Sequence, residues 1–241
     1  MARFTGKTAL VTGAGSGLGA EVAKLLALEE AKVIALDIKF PDTPDEPSSI
    51  TRRQLDVTIP EQWDELVTSL TNDGVEVDIL INAAGVLDNG NLHELELDSW
   101  RHILAVDVDG VMLGMRAIIP QMKARGRGAI VNFSSILADV SLIGSPAYHA
   151  AKGAVTNLTR NAAVTYAPDN VRVNAIHPGI IATPMVANQP KKFIGEALGR
   201  TPMGRMGTTR EIATVVLFIA SDDASFMTGS AVAVDGGFTA H

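Results

Sequence analysis

Thr8-Ala9-Leu10-Val11-Thr12-Gly13-Ala14-Gly15-Ser16-Gly17-Leu18-Gly19 is the stretch on which the fold turns. Its first five residues are apolar or β-branched and read as a strand. They run straight into glycines. Beyond them Leu18, Val22, Leu25 and Leu26 fall at i, i+4, i+7 and i+8, one face of a helix. The same alternation continues outward. Strands are read at Thr8–Thr12, Lys32–Asp37, Asp78–Asn82, Ala129–Phe133, Val171–Ile176 and Ala231–Val234. Each is near-continuously apolar, as parallel strands covered on both faces require. Helical patterns lie near 61–72, 98–124, 147–166 and 209–221, the last opened by the capping box Thr208-x-x-Glu211. Strand–helix repetition of this kind implies one α/β domain over 1–241, a doubly wound parallel sheet of about seven strands with helices on both faces. Phe40–Ser49, with three prolines, reads as a surface loop. The glycine- and proline-rich stretch near 183–205 reads as an irregular lid beyond the carboxyl ends of the strands, where such sheets carry ligands.

Composition narrows the function. Of 241 residues 46 % are apolar and 20 % charged, which excludes a disordered chain. Lys and Arg number 20 against 27 Asp and Glu, a net charge of −7, without the basic field that nucleic-acid binding needs. There is no cysteine, so disulfides, thiolate nucleophiles and Cys-type zinc sites are out. The five histidines form no H-x-x-x-H pair, and no metal is expected. No uncharged apolar run reaches the ~18–20 residues of a membrane span. A soluble cytoplasmic protein is the simplest expectation.

The glycine turn allows the backbone to approach a phosphate closely, and the helix N-terminus behind it offers free N–H groups and partial positive charge. Asp37 ends the second strand, eighteen residues beyond Gly19. A carboxylate there accepts both hydroxyls of an adenosine ribose and repels a 2′-phosphate. Ser16 and Ile38 are neutral where a basic residue could have held that phosphate, and only Lys39 dissents. NAD is therefore expected over NADP.

Tyr148 and Lys152 stand at i and i+4 on one helical face. A free phenol, with pKa ~10, is a poor acid near neutrality. A nearby ammonium stabilises the phenolate and makes the pair a proton donor suited to carbonyl–alcohol chemistry. Thirteen residues before Tyr148, Ser135 ends a strand where its hydroxyl could orient a substrate oxygen. An acyl-transfer serine would need a G-x-S-x-G elbow, which surrounds neither Ser134 nor Ser135.

Thr12–Gly19, Asp56-Val57, Asn82-Ala83-Ala84-Gly85, Ser135, Tyr148-x-x-x-Lys152 and Pro178-Gly179 occur in one order and spacing. Together they resemble the short-chain dehydrogenase/reductase family in its compact, Rossmann-fold form, most similar to bacterial secondary-alcohol and hydroxysteroid dehydrogenases. The resemblance implies that Gly13, Ser16, Gly17, Leu18 and Gly19 line pyrophosphate and ribose, that Asp37 holds the adenosine ribose, and that Asp56 and Val57 flank the adenine. It implies that Asn82, Ala83, Ala84 and Gly85 support the sheet centre and the cofactor, and that Pro178, Gly179, Ile180 and Thr183 meet the nicotinamide end. Tyr148 would be the acid/base, Ser135 the orienting hydroxyl, and Lys152 would also hydrogen-bond the nicotinamide ribose. One position departs: Asp107 stands where the family has an asparagine that holds a water linking Lys152 to solvent. An active enzyme is expected, with aspartate able to retain the role or to shift the pH optimum upward.

Near the nicotinamide end the segments are apolar: Val86, Leu87, Ile136, Leu137, Val140, Leu142, Ile143 and Met185. A wall of this kind with one polar focus suits a hydrophobic secondary alcohol or ketone, cyclic, aromatic or steroidal. Several of these residues could equally be plain core. His93 and His102 read as residues of exposed helical faces. By analogy with relatives a homotetramer is expected. The alternatives are an NADPH-dependent 3-oxoacyl reductase and a catalytically silent dinucleotide-binding protein.

Overall fold

The structure, a computed structural model, describes residues 2–41 and 47–240. Seven parallel strands form one sheet: β1 (Thr8–Thr12), β2 (Lys32–Asp37), β3 (Ile50–Gln54), β4 (Ile79–Asn82), β5 (Gly128–Phe133), β6 (Val171–Pro178) and β7 (Ala231–Val234). Their order is β3-β2-β1-β4-β5-β6-β7. The order reverses direction between β1 and β4, and a crevice opens there beyond the carboxyl ends.

Successive side chains of a strand enter opposite layers. Ala9 and Val11 of β1 face a layer built with Val22 and Leu26 of α1 (Gly17–Leu28) and Val216 and Leu217 of α8 (Thr209–Ala220). Leu10 between them enters the other layer. There it meets Trp63, Leu66 and Leu70 of α2 (Pro60–Asn72), Ile118 and Met122 of α4 (Gly110–Arg125) and Val155 of α5 (Pro146–Tyr166). The Thr208–Glu211 capping box forms as the spacing implies.

Three expectations need correction. β3 was not among the strands read from the sequence: Ile-Thr-Arg-Arg-Gln is an edge strand half open to water, so it lacks the apolar run of its neighbours. The helix over 98–124 is interrupted. α3 (Leu97–Leu104) passes through one wide π turn at Ala105–Asp109 before α4 begins, and the turn buries Asp107. The stretch 183–205 is not irregular throughout: it holds α6 (Pro184–Ala187) and α7 (Lys191–Gly199), the latter anchored by the buried Ala197. Of the loop Phe40–Ser49, residues 42–46 lie outside the described residues.

Candidate active site

The turns after β1 and β4 close on each other. Thr12 Oγ1 accepts the N–H groups of Ala83 and Ala84 at 3.0 and 3.1 Å. A Cβ on Gly13 would sit 2.7 Å from the Ala84 backbone, so only glycine fits. Ser16, at the N-cap of α1, makes no side-chain cap, which leaves the first turn's donors available to an anion. From here a cleft of about 430 Å³ runs past Gly13, Ser16, Gly17, Leu18 and Gly19 to Asp37. Asp56, Val57, Ala83, Ala84, Gly85, Val86, Thr183 and Met185 also line it.

Asp37 Oδ2 accepts the N–H of Gly15 at 2.9 Å, and Oδ1 accepts that of Lys39 at 3.1 Å. The carboxylate is thus fixed at the cleft's end with lone pairs to spare. A side chain on Gly15 would collide with Asp37 and the Lys39 carbonyl. These residues fit a dinucleotide: glycines where phosphates need room, free helix donors, and an oriented carboxylate one strand away.

Asn82 does not line the cleft. It is 2 % exposed, and its amide donates to Asn132 Oδ1 at 2.8 Å, fastening β4 to β5. Pro178, Gly179 and Ile180 also lie outside the cleft lining; Ile180 borders a small separate hollow. His102 is exposed, as its sequence context suggests, yet it borders the cleft.

Beside the cleft, α5 carries Tyr148 and Lys152 on one face. Lys152 Nζ lies 5.2 Å from the centre of the Tyr148 ring. It donates to the Phe133 carbonyl at 3.0 Å and meets Asp107 Oδ2 at 2.9 Å. Asp107 Oδ1 accepts the Val86 N–H at 2.8 Å. Gly85 lets this pair press against the backbone, since a Cβ there would stand 3.1 Å from Asp107 Oδ2. Burial alone would lower the Lys152 pKa, but the Asp107 carboxylate, by its charge and its hydrogen bond, and Tyr148 together outweigh it, and the ammonium is held above its ordinary range. Burial raises the Tyr148 phenol; Lys152 pulls it down, Asp107 pushes it up, and Ser135 lowers it again. Ser135 follows β5 and accepts the Leu137 N–H at 3.1 Å, while Ser134 turns to the opposite side and donates to the Lys152 carbonyl at 2.9 Å.

Val140, Leu142 and Tyr148 pack on a cluster of Ile136, Leu137 and Phe238. Two of the expected wall residues are corrected here. Ile136, 1 % exposed, is core against Phe238, and Ile143, 79 % exposed, stands in solvent. Val86 packs beside Ile103 on α3. Sequence reasoning missed Asp88. It is buried, and its two carboxylate oxygens accept the N–H groups of Ala147 and Tyr148 at 3.3 and 3.1 Å, capping α5 from another loop.

A cleft at the switch point of a parallel sheet, with a glycine turn, an oriented carboxylate and a Ser/Tyr/Lys cluster beside it, defines a dinucleotide-binding oxidoreductase. The comparisons are more specific. Residues 13–239 match a family model described as enoyl-(acyl carrier protein) reductase. The chain is 38 % identical to trans-4-hydroxycyclohexanecarboxylate dehydrogenase of Sinomonas cyclohexanicum over 99 % of its own length and 95 % of the relative's. It is 38 % identical to cyclopentanol dehydrogenase of Comamonas testosteroni over the whole of both chains. The crystal structure of levodione reductase superposes with a TM-score of 0.91 at 32 % identity, covering 99 % of each chain. The chain belongs to the short-chain dehydrogenase/reductase family. It is an oxidoreductase, and its cofactor is a nicotinamide dinucleotide. Among the described residues no helix is long and apolar enough to cross a membrane.

Proposed function

We propose that this enzyme is NAD-dependent and interconverts a hydrophobic secondary alcohol, cyclic, aromatic or steroidal, with its ketone. The observation that carries the reading is Tyr148, set between the Lys152 ammonium and an apolar patch of Val140, Leu142 and Leu137. Tyr148 gives its phenolic proton to the carbonyl oxygen in reduction and takes it back in oxidation. Lys152 steadies the phenolate and keeps a donor for the nicotinamide ribose. Ser135 orients the substrate oxygen. Bound at this site, the nicotinamide supplies or accepts the hydride.

Gly13, Ser16, Gly17, Leu18 and Gly19 hold the pyrophosphate, and Asp56 and Val57 flank the adenine. Asn82, Ala83, Ala84 and Gly85 back the cofactor, with Pro178, Gly179, Ile180 and Thr183 toward the nicotinamide. Asp37 selects NAD: its fixed carboxylate suits two ribose hydroxyls and repels a 2′-phosphate. Val86, Leu87 and Met185 extend the substrate wall, and 183–205 covers it as a lid. The names of the relatives, a 4-hydroxycyclohexanecarboxylate dehydrogenase and a cyclopentanol dehydrogenase, support a cyclic substrate. The description of the matching family model favours an acyl-carrier reductase instead. Ser16 and Ile38 give that alternative no cation for a 2′-phosphate. Copies of the chain assemble as a homotetramer, by analogy with relatives.

The test is reduction of NAD⁺ against NADP⁺ at 340 nm across cyclic, aryl and steroidal secondary alcohols, with Tyr148→Phe alongside. NAD⁺-dependent turnover that falls by about 10²–10⁴ in Tyr148→Phe is expected. Turnover with NADP⁺ and oxoacyl thioesters alone would select the alternative.

A further inference from the structure

A hydrogen-bonded chain leaves the site on the side away from the cleft. Asp139 Oδ2 lies 2.7 Å from Nδ1 of His177, and His177 Nε2 lies 2.9 Å from Thr156 Oγ1. That hydroxyl is 2.8 Å from Ser134 Oγ, which is 2.9 Å from the Lys152 carbonyl oxygen. The chain begins at a half-exposed carboxylate and ends on the backbone of Lys152. Between them His177 is 1 % exposed, and Thr156 and Ser134 are 3 % each. Its members join three elements that the reaction needs in register. Asp139 closes the turn that follows Ser135, His177 precedes Pro178 on β6, and Thr156 lies one helical turn beyond Lys152 on α5.

Four contacts need four hydrogens. The two hydroxyls bring one each, and an ionised Asp139 brings none. A neutral imidazole brings one. It must sit on Nδ1 to meet Asp139, so Nε2 accepts from Thr156, Ser134 donates to the Lys152 carbonyl, and the contact between Thr156 and Ser134 has no hydrogen. An imidazolium brings two; Nε2 then donates to Thr156, the Thr156 hydroxyl turns to Ser134, and all four contacts are filled. The charged groups that face His177 are Asp139 from the turn and Arg160 from α5; its register partner on β7 is Ala233.

We propose that His177 is a positioning residue for the reaction. By donating to Asp139 and accepting from Thr156 it locks the turn that carries Ser135 to the helix that carries Tyr148 and Lys152. It thereby fixes the spacing of the orienting hydroxyl and the proton donor. The role rests on the reading of those three residues as catalytic; the hydrogen-bond chain itself does not.

Two variants test it. His177→Phe keeps the ring and deletes both nitrogens. Its kcat is expected to fall about tenfold, with the KM for NAD⁺ held within about twofold, because the glycine turn and Asp37 are untouched. Asp139→Asn can turn its NH₂ to a bare Nδ1. With the His177 proton moved to Nε2, all four contacts are then filled by a neutral ring, whereas the reverse amide orientation fills only three. Its kcat is expected to stay within about twofold of the parent. The nitrogen-15 signals of His177, one of five histidines, are expected to pass from the Nδ1–H to the Nε2–H pattern. Parental kcat in His177→Phe overturns the proposal, as does joint loss of NAD⁺ affinity and kcat. An Asp139→Asn protein whose His177 keeps its proton on Nδ1 also overturns it. The spectroscopic arm needs no turnover, so an enzyme silent toward every alcohol tried would remove the functional reading and the positioning role with it, and the tautomer would still decide the hydrogen-bond chain.

Discussion

Lys152 Nζ lies 2.9 Å from Asp107 Oδ2, with Lys152 3 % and Asp107 0 % exposed. The carboxylate thus meets the ammonium directly. The attraction that fixes the Lys152 charge also opposes ionisation of Tyr148, whose phenol is raised chiefly by burial and further by Asp107. Asp107→Asn removes that opposition. With Tyr148 as the proposed base, oxidation needs its phenolate, so its pH profile is expected to move to lower pH in the variant, while reduction near neutrality changes little. Steady-state rates from pH 6 to 10 in both directions check this. Turnover raised many-fold at every pH would mean that aspartate is a poor substitute at this position. Asp107→Ala leaves a buried ammonium without its partner and is expected to cost about 3–5 kcal/mol of stability, read by denaturant unfolding.

Asp88 has a related structural role at the N-terminus of α5, the helix that carries Lys152. Its oxygens take the N–H groups of Ala147 and Tyr148, so the helix that carries Tyr148 begins on this carboxylate. Asp88→Ala strands two donors in a buried place and is expected to cost roughly 1–2 kcal/mol. Asp88→Asn can still accept from one of them and is expected to retain most of the stability. Paired thermal melts decide; equal melting temperatures for Asp88→Ala and the parent would show that the cap is unimportant.

What was legible in the sequence, and what was not, follows from distance along the chain. β1, β2, β4, β5 and β6 are covered on both faces and read as apolar runs, whereas β3 is polar and lies at an edge, with Arg53 reaching out to Ser69. Tyr148 and Lys152 were visible because a helix brings i and i+4 together. Asp88 meets Tyr148 across 60 positions and Asp139 meets His177 across 38, separations that no local period records. Ile136 and Ile143 were misplaced for a related reason: apolar character does not say whether a residue faces the pocket, the core or water.

Asp37 makes the cofactor choice testable. Its carboxylate is fixed by the N–H groups of Gly15 and Lys39, so it cannot swing away from a 2′-phosphate. Facing like charges cost several kcal/mol, and a preference for NAD⁺ of at least about 100-fold in kcat/KM is expected. Asp37→Ser with Ile38→Arg, at an exposed position, removes the repulsion and adds a cation, and is expected to reverse the preference. Equal use of both cofactors by the parent enzyme would refute the assignment of selectivity to this carboxylate.

His177 also predicts how stability follows pH. Burial holds its pKa below the ordinary value of 6.5, against the pull of Asp139. The unfolded chain therefore takes up this proton at a higher pH than the folded one. As pH falls below about 6.5 the unfolded state gains protons first, so the folded state loses stability until the native ring is protonated too. Above that value His177 contributes no pH dependence. The urea midpoint of the parent is expected to decline between pH 7 and 5, and His177→Phe, which cannot titrate, is expected to decline less over the same range. Parallel curves for the two proteins would place the acid sensitivity elsewhere.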